Sequence, residues 1–470
     1  MNRTDSLPPD ALEPDAKYRE VLKWVWSFSA RPRTPEEMSR QRATKLDRMR
    51  ALLAGLDHPE REFPSVLVAG TKGKGSTLAM LDACLRAQGV RTGRYTSPHL
   101  VNWRERTCVD AQPIGVESVV ALAGPVRRAL DNLAPALGQP TTFEVGTAFA
   151  FLYFARGFEE PIELAVVEVG TGGRFDATNV LEPLVSVITP ISYDHTPTLG
   201  NTLSEIAWHK AGILRPGRPG VLAPQVDEAR LAIEREADAL GNTLDEVGRE
   251  WVWSAVESEA RGSSAVAPIR IASKHAEFEP LVAQVGLLGD HQRDNATTAV
   301  AALYVLGGIE PRFAVSRSAL QSGLTSVDWP GRLQVISARP LVVLDGAHNA
   351  SSAAALRAAL ESAFAFDRLH LVVGISAGKD ARGVLDAILA DTSEPNVYLT
   401  RSDHERSAVP ADLEALARAA APGAQVGAYA SLPAALEAAT AAAGAHDLVL
   451  VTGSLFLVGE ALVWWRRSPR

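Results

Sequence analysis

The sequence predicts an α/β protein of two domains, each built on a parallel sheet flanked by helices. Three observations carry that expectation. At 470 residues the chain is longer than one hydrophobic core commonly serves. Short β-branched runs alternate with Ala- and Leu-rich stretches of helical spacing almost from end to end. The strand-like runs are continuously apolar, as strands covered on both faces are.

In chain order, residues 1–16 (MNRTDSLPPDALEPDA) are polar and proline-rich with no apolar leader core, which predicts a disordered tail. The run SVLVAG at 65–70 is the first strand candidate. A glycine-rich turn, TKGKG, follows it, and a helix is expected over 76–88, stopped by Gly89. Further strands are expected at 162–169, 184–189, 341–345, 369–374, 396–400 and 447–452, with helices over 350–364 and 433–443 among others. The segment SVDWPGRLQV at 326–335 breaks the rhythm with Pro330 and Gly331. It predicts an interdomain linker, leaving domains of 17–325 and 336–470. Near the C-terminus, LVLVTGSLFLVGEALVWW is interrupted by Thr452, Gly453, Ser454 and Glu460. A strand, a turn and an amphipathic helix fit it better than a membrane span.

A formal net charge of −8 without a long basic run argues against nucleic acid as the main partner, while leaving room for a local phosphate pocket. Two cysteines, Cys84 and Cys108, supply neither a disulfide framework nor zinc spacing, so a cytoplasmic, reducing setting is expected.

The chemistry begins at VAGTKGKGST, 68–77. A strand, a glycine-rich turn and a helix start make an anion site, because unpaired N–H groups and the helix dipole both favour negative charge. Gly70, Gly73 and Gly75 allow close approach, Lys74 can reach the β- and γ-phosphates, and Ser76 is the nearest hydroxyl. The stretch still departs from G-x-x-x-x-G-K-[ST]: Val68 stands where the first glycine belongs, and Gly75 where a Mg²⁺-binding hydroxyl belongs. The plain alternative is a βα turn carrying two solvated lysines. Glu168 closes the apolar run IELAVVEV, where an unpaired carboxylate is costly and where open α/β sheets bind ligands. His195 comes after the run LVSVIT, and Asp345 ends the run LVVLD, so both lie at the ends of strand candidates. Thr141 or Thr142 could cap a helix with support from Glu144, and Asn349 could cap the helix after it.

AGTKGKGST resembles the ATP loop of the Mur ligase superfamily, in particular its folylpolyglutamate synthase/dihydrofolate synthase branch. Further stretches match that branch in order: YTSPHL (95–100), TTFEVGTAFAF (141–151), EVGTGGRFDATN (168–179), SYDHTPTLGNTLSEIAWHKAGILRPG (192–217), GDHQRDNATTA (289–299), WPGRL (329–333), LDGAHN (344–349) and VTGSLF (451–456). The resemblance implies a large N-terminal ATPase domain, a smaller Rossmann-like C-terminal domain and an active site in the cleft between them.

It also implies roles. Gly73, Lys74, Gly75 and Ser76 would cradle the phosphates of ATP, with Asn295 on the adenine side. Ser97 and Glu168 would hold one Mg²⁺; Glu168, His195 and a carbamylated Lys210 would hold a second. A carbamate turns an ammonium into a carboxylate-like ligand suited to a hard cation. His209 precedes that lysine where many relatives are acidic. His99, Thr141, Thr142, Phe143 and Glu144 would line the pterin site. Arg332 would reach the phosphates from the second domain, Asp345 would contact the nucleotide, and His348 would position the reacting groups. The implied reaction joins L-glutamate to dihydropteroate and to reduced folates through an acyl phosphate, in a monomer with no nucleic-acid or membrane partner. A folylpolyglutamate synthase of single activity is the narrower alternative. A cell-wall Mur ligase is the other, and it would normally carry a domain ahead of the loop, where about 65 residues stand here.

Overall fold

The computed structural model describes residues 15–29, 35–158, 161–256 and 267–467, with 35–43 described by backbone alone. Residues 1–14 of the expected tail lie outside that set. The tail's boundary needs correction: Asp15 caps the helix Ala16–Ser27 by accepting from Tyr18 N at 2.8 Å. Tyr18, Val21, Leu22 and Val25 form a buried stripe at helical spacing, so this segment packs instead of dangling.

Eight strands form the N-terminal sheet, in the order Gln112–Pro113, Thr107–Val109, Thr92–Tyr95, Leu164–Glu168, Ser65–Ala69, Val185–Ile188, Gly220–Leu222, Leu244–Glu246. The last six run parallel; the first two join as an antiparallel edge. Alternate residues of the central strands serve two cores. Leu67, Ala69, Ala165 and Val167 face helix Thr142–Arg156, whereas Val66, Val68, Leu164 and Val166 face helices Lys74–Ala87 and Asp290–Ile309. The parallel register pairs Val68 with Glu168 and Ala69 with Ile188. Three strands therefore end at one edge of the sheet, and the loops leaving them meet there. A three-stranded antiparallel sheet, Leu281–Ala283, Ile269–Ser273 and Trp251–Ala255, adds to the parallel architecture. Its strands are half-exposed and short, so they lack the continuous apolar runs that marked the others.

The C-terminal sheet runs Gln334–Ala338, Leu341–Leu344, Leu448–Thr452, Leu369–Val373, Asn396–Leu399, Gln425–Ala428. Only its first pair is antiparallel. Gln334 and Val335, assigned by sequence to the linker, already belong to the edge strand. That strand is half-exposed and carries no buried apolar run to announce it. The apolar C-terminal stretch forms strand Leu448–Thr452 and helix Leu455–Arg467. No helix among the described residues is long and apolar enough to cross a membrane.

One buried ion pair pins helix Pro35–Ala54 to helix Thr142–Arg156. Arg48, on helix Pro35–Ala54, grips Glu144 through Nε–Oε1 at 2.8 Å and Nη2–Oε2 at 3.1 Å, both side chains being fully buried. A third donor, Nη1, reaches Leu137 O at 2.7 Å. Glu144→Ala leaves the guanidinium buried without its partner, so a loss of about 3–5 kcal/mol is expected in urea unfolding. Glu144→Gln keeps an acceptor and costs less; an unshifted midpoint in both variants would refute the pinning role.

Candidate active site

The glycine-rich loop leaves the central strand at Gly70 and enters helix Lys74–Ala87 through Gly73, whose φ is 82°. The helix starts two residues earlier than the sequence suggested. Its first intrahelical bond is Thr77 N to Gly73 O at 2.9 Å, so the N–H groups of Lys74, Gly75 and Ser76 head an anion cradle. Asn295 stands directly behind it, 3% exposed. Its Oδ1 accepts from Thr77 Oγ1 at 3.3 Å and its Nδ2 donates to Gln292 Oε1 at 2.9 Å. A Cβ on Gly73 would fall 2.4 Å from that Oδ1. In this structure the amide buttresses the loop.

Gly75 has an equally concrete reason. A Cβ there would meet the Trp329 ring at 2.9–3.1 Å. The indole of the interdomain segment lies on the first turn of the loop helix, with the Arg94 guanidinium 5.1 Å from its ring. The hydroxyl missing from the loop is missing because an aromatic ring occupies its place.

Beside the loop sits a dry cluster of opposite charges. Glu168 Oε2 accepts from Ser97 N at 3.0 Å, and Oε1 lies 3.8 Å from Lys74 Nζ. Burial raises the pKa of Glu168, and Lys74 opposes the rise. Lys210, on helix Leu203–Ala211, is buried and donates to Gly70 O at 2.7 Å. Burial first and the Lys74 charge second bring its pKa down to about 7. The helix end carrying it is held by Arg174 N, which donates to His209 O at 2.7 Å. His195 caps the short helix Thr196–Leu199 in a left-handed conformation, φ 51°, and is half-exposed beside Asp194. Partial burial lowers its pKa, opposed by Asp194 and reinforced by Lys379, Lys210 and Lys74. Among the described residues no three His, Cys, Asp or Glu side chains gather as a ready metal cage.

Thr141 caps helix Thr142–Arg156 in a capping box with Glu144. Glu144 is thus wholly engaged, with Arg48 on one side and Thr141 on the other. Phe143 projects so that its ring would lie 2.6 Å from a Cβ on Gly170, and it sits 5.9 Å from the Tyr95 ring. Thr142 Oγ1 is buried without a hydrogen-bond partner. His99 Nδ1 accepts from Arg106 Nε at 2.8 Å, and burial with that neighbouring charge holds its pKa well below the usual value.

Across the cleft, Asp345 ties the linker to its own strand end. It accepts from Leu333 N and Ala347 N, both at 2.8 Å. Burial raises its pKa, opposed first by Arg332. His348 Nδ1 faces Gly346 O at 2.9 Å, and its pKa is lowered chiefly by burial, with Lys379 and Arg332 adding to it. Lys72 of the loop bonds Ser351 Oγ of the second domain, so loop and C-terminal helix touch directly.

Five residues at this site were not singled out from the sequence: Trp329, Asp176, Arg106, Lys379 and Lys45. Trp329 and Asp176 lay inside quoted motifs, and Asp176 organises its loop by accepting from Gly170, Thr171 and Thr178 N. Lys45 lies in no motif at all.

Two family models match the chain in tandem: the Mur ligase middle domain over residues 68–303 and the Mur ligase glutamate ligase domain over residues 331–455. Fold and site together are those of an ATP-dependent ligase of the Mur class. Within that class the chain belongs to the folylpolyglutamate synthase/dihydrofolate synthase family. It is 34% identical over 419 residues to the dihydrofolate synthase/folylpolyglutamate synthase of Bacillus subtilis, covering 88% of this chain and 93% of that one. A Mycobacterium tuberculosis folylpolyglutamate synthase complexed with ADP superposes with a TM-score of 0.83 at 30% identity, over 97% of this chain and 99% of the other. E. coli FolC in complex with DHPP and ADP gives 0.80 at 29% identity, over 96% and 98%.

Gly75→Ser would complete the standard phosphate-loop pattern yet drive a side chain into Trp329. Overpacking of this kind costs about 1–3 kcal/mol. The variant is expected to raise the KM for ATP roughly tenfold, and Gly75→Ser/Trp329→Ala to recover part of that loss. Improved nucleotide affinity in the single variant would contradict the packing argument.

Proposed function

We propose that the protein ligates L-glutamate to dihydropteroate, giving dihydrofolate, and extends reduced folates by the same chemistry. The observation that carries this reading is the meeting of the phosphate loop, the Ser97–Glu168–Lys74 cluster and Lys210 at one sheet edge, opposite Arg332 and His348. The relatives found with ADP and with DHPP support it.

ATP fits the cradle: it has a helix N-terminus, two tight glycines and a lysine, which suit a polyphosphate. An acceptor carboxylate oxygen attacks the γ-phosphorus, ADP departs and an acyl phosphate forms. The α-amine of glutamate then attacks the acyl carbon, inorganic phosphate leaves and the amine loses a proton. Lys74 and the loop N–H groups stabilise the charge that develops during phosphoryl transfer, and Arg332 reaches the same oxygens from the second domain. His348 is suited to take the amine's proton. A carbonyl only accepts, so the contact with Gly346 O places hydrogen on Nδ1 and leaves Nε2 as the acceptor.

Two Mg²⁺ ions would sit on Ser97 with Glu168, and on Glu168 with His195 and carbamylated Lys210; bound there they would neutralise phosphate charge. The residues fit such cations. A dication favours the charged form of a carboxylate whose pKa burial has raised, and an amine with a pKa of about 7 carries a sizeable neutral, nucleophilic fraction at neutral pH. Its lone pair attacks CO₂, a nitrogen–carbon bond forms and a proton leaves to solvent. Both halves of the site lie on one chain, so a monomer is the working unit we infer. A cytoplasmic setting fits the free thiols Cys84 and Cys108.

The direct test measures ADP release with ATP, Mg²⁺ and L-glutamate, offering dihydropteroate or tetrahydrofolate. Release with both is expected, and release with neither overturns the reading. Lys210 gives a second test. Its ammonium is disfavoured on folding, so the unfolded chain binds more protons between pH 7 and 10.5 and stability from this group rises across that window. Carbamate formation should rise through pH 7 in the same sense. It can be followed as a carbonyl signal by ¹³C NMR with labelled bicarbonate, present in the wild type and absent in Lys210→Arg. A pH-independent signal, or one that survives in the arginine variant, contradicts the assignment.

A further inference from the structure

Lys45 lies outside every motif, yet the structure brings it to the acceptor side of the site. It stands three residues before Arg48 on helix Pro35–Ala54, and the Arg48–Glu144 pair fixes that helix against the segment carrying Thr142 and Phe143. Lys45 Nζ comes to 3.5 Å from Asp176 Oδ2 and 5.7 Å from the centre of the Phe143 ring, and its side chain stays 22% exposed.

Asp176 does not depend on this partner. Its Oδ1 accepts from Gly170 N, Thr178 N and Thr178 Oγ1, and its Oδ2 from Thr171 N. At 3.5 Å the ammonium is also farther away than a strong charge-assisted bond, which lies near 2.7–2.9 Å. Lys45 therefore retains donor capacity beside an aromatic face. An aromatic face and an ammonium together suit a flat heterocycle with polar edges.

We propose that Lys45 is a specificity-determining residue for the acceptor ring, favouring the 7,8-dihydropterin over the tetrahydropterin form. This inference rests on the folate reading above. An ammonium can only donate. In a 7,8-dihydropterin the imine N5 and the neighbouring carbonyl oxygen form two adjacent acceptors. Reduction to the tetrahydro form places hydrogen on N5 and leaves the carbonyl alone, so a fixed donor at that edge loses one of its two partners.

The test is steady-state kinetics of full-length Lys45→Met with dihydropteroate and with tetrahydrofolate. Losing a charged hydrogen bond should raise the KM for dihydropteroate about 10- to 100-fold, with a clearly smaller rise for tetrahydrofolate. The loss should be carried by KM more than kcat, and Lys45→Arg, which still donates, should restore most of the preference. The KM for ATP serves as the control for an intact fold, with Lys45→Gln as the substitute should the methionine variant fold poorly. An equal change for both acceptors, or none, overturns the inference while leaving the folate reading intact. A wild-type enzyme that turns over neither acceptor overturns both.

Discussion

The constraint on which this site depends is the confinement of two lysines and one carboxylate at the dry edge of a parallel sheet. Lys210 donates to Gly70 O, the first residue of the phosphate loop, and feels the charge of the neighbouring Lys74. Water would dissolve such a cluster. Burial brings the pKa of Lys210 down to about 7 and raises that of Glu168, so in both groups burial works against the charged form. On the proposed reading, a polyphosphate and hard cations would supply charges that balance this cluster.

Secondary structure explains how such a cluster can be held. Parallel register brings the ends of Ser65–Ala69, Leu164–Glu168 and Val185–Ile188 together, so the loop, Glu168 and the segment leading to His195 emerge side by side. Asp345 holds Leu333 N and Ala347 N, fixing the turn on which Arg332 stands. Since the same turn follows Trp329, one short segment both packs on the phosphate loop and presents the arginine.

What the sequence made legible follows from what each signal encodes. Buried parallel strands such as SVLVA and LAVVE are visible because both faces need apolar residues, and their ends locate Gly70 and Glu168. Strands such as Thr92–Tyr95, which holds a glycine and an arginine, and Gly220–Leu222, only three residues long, are stabilised by neighbours the sequence cannot display. Motifs located the clustered residues but not their partners. The resemblance marks Glu144 for the pterin site but does not show Arg48 across 96 positions of chain, and it marks Asn295 for the nucleotide but does not show Thr77 and Gln292 at its amide. Lys45 had no signal, because nothing in its neighbours along the chain announces Asp176 or Phe143.

The departure of the loop from the standard phosphate-binding pattern is then a consequence of two-domain architecture. A loop that carries its own metal hydroxyl at position 75 needs a free surface over the first helical turn. Here that surface is covered by Trp329, and only glycine leaves room for the indole. On the proposed reading the metal ligands would come from elsewhere, from Ser97 and Glu168, which are joined by a hydrogen bond at the same sheet edge. In exchange, the helix that receives the phosphates is in contact with the segment that carries Arg332.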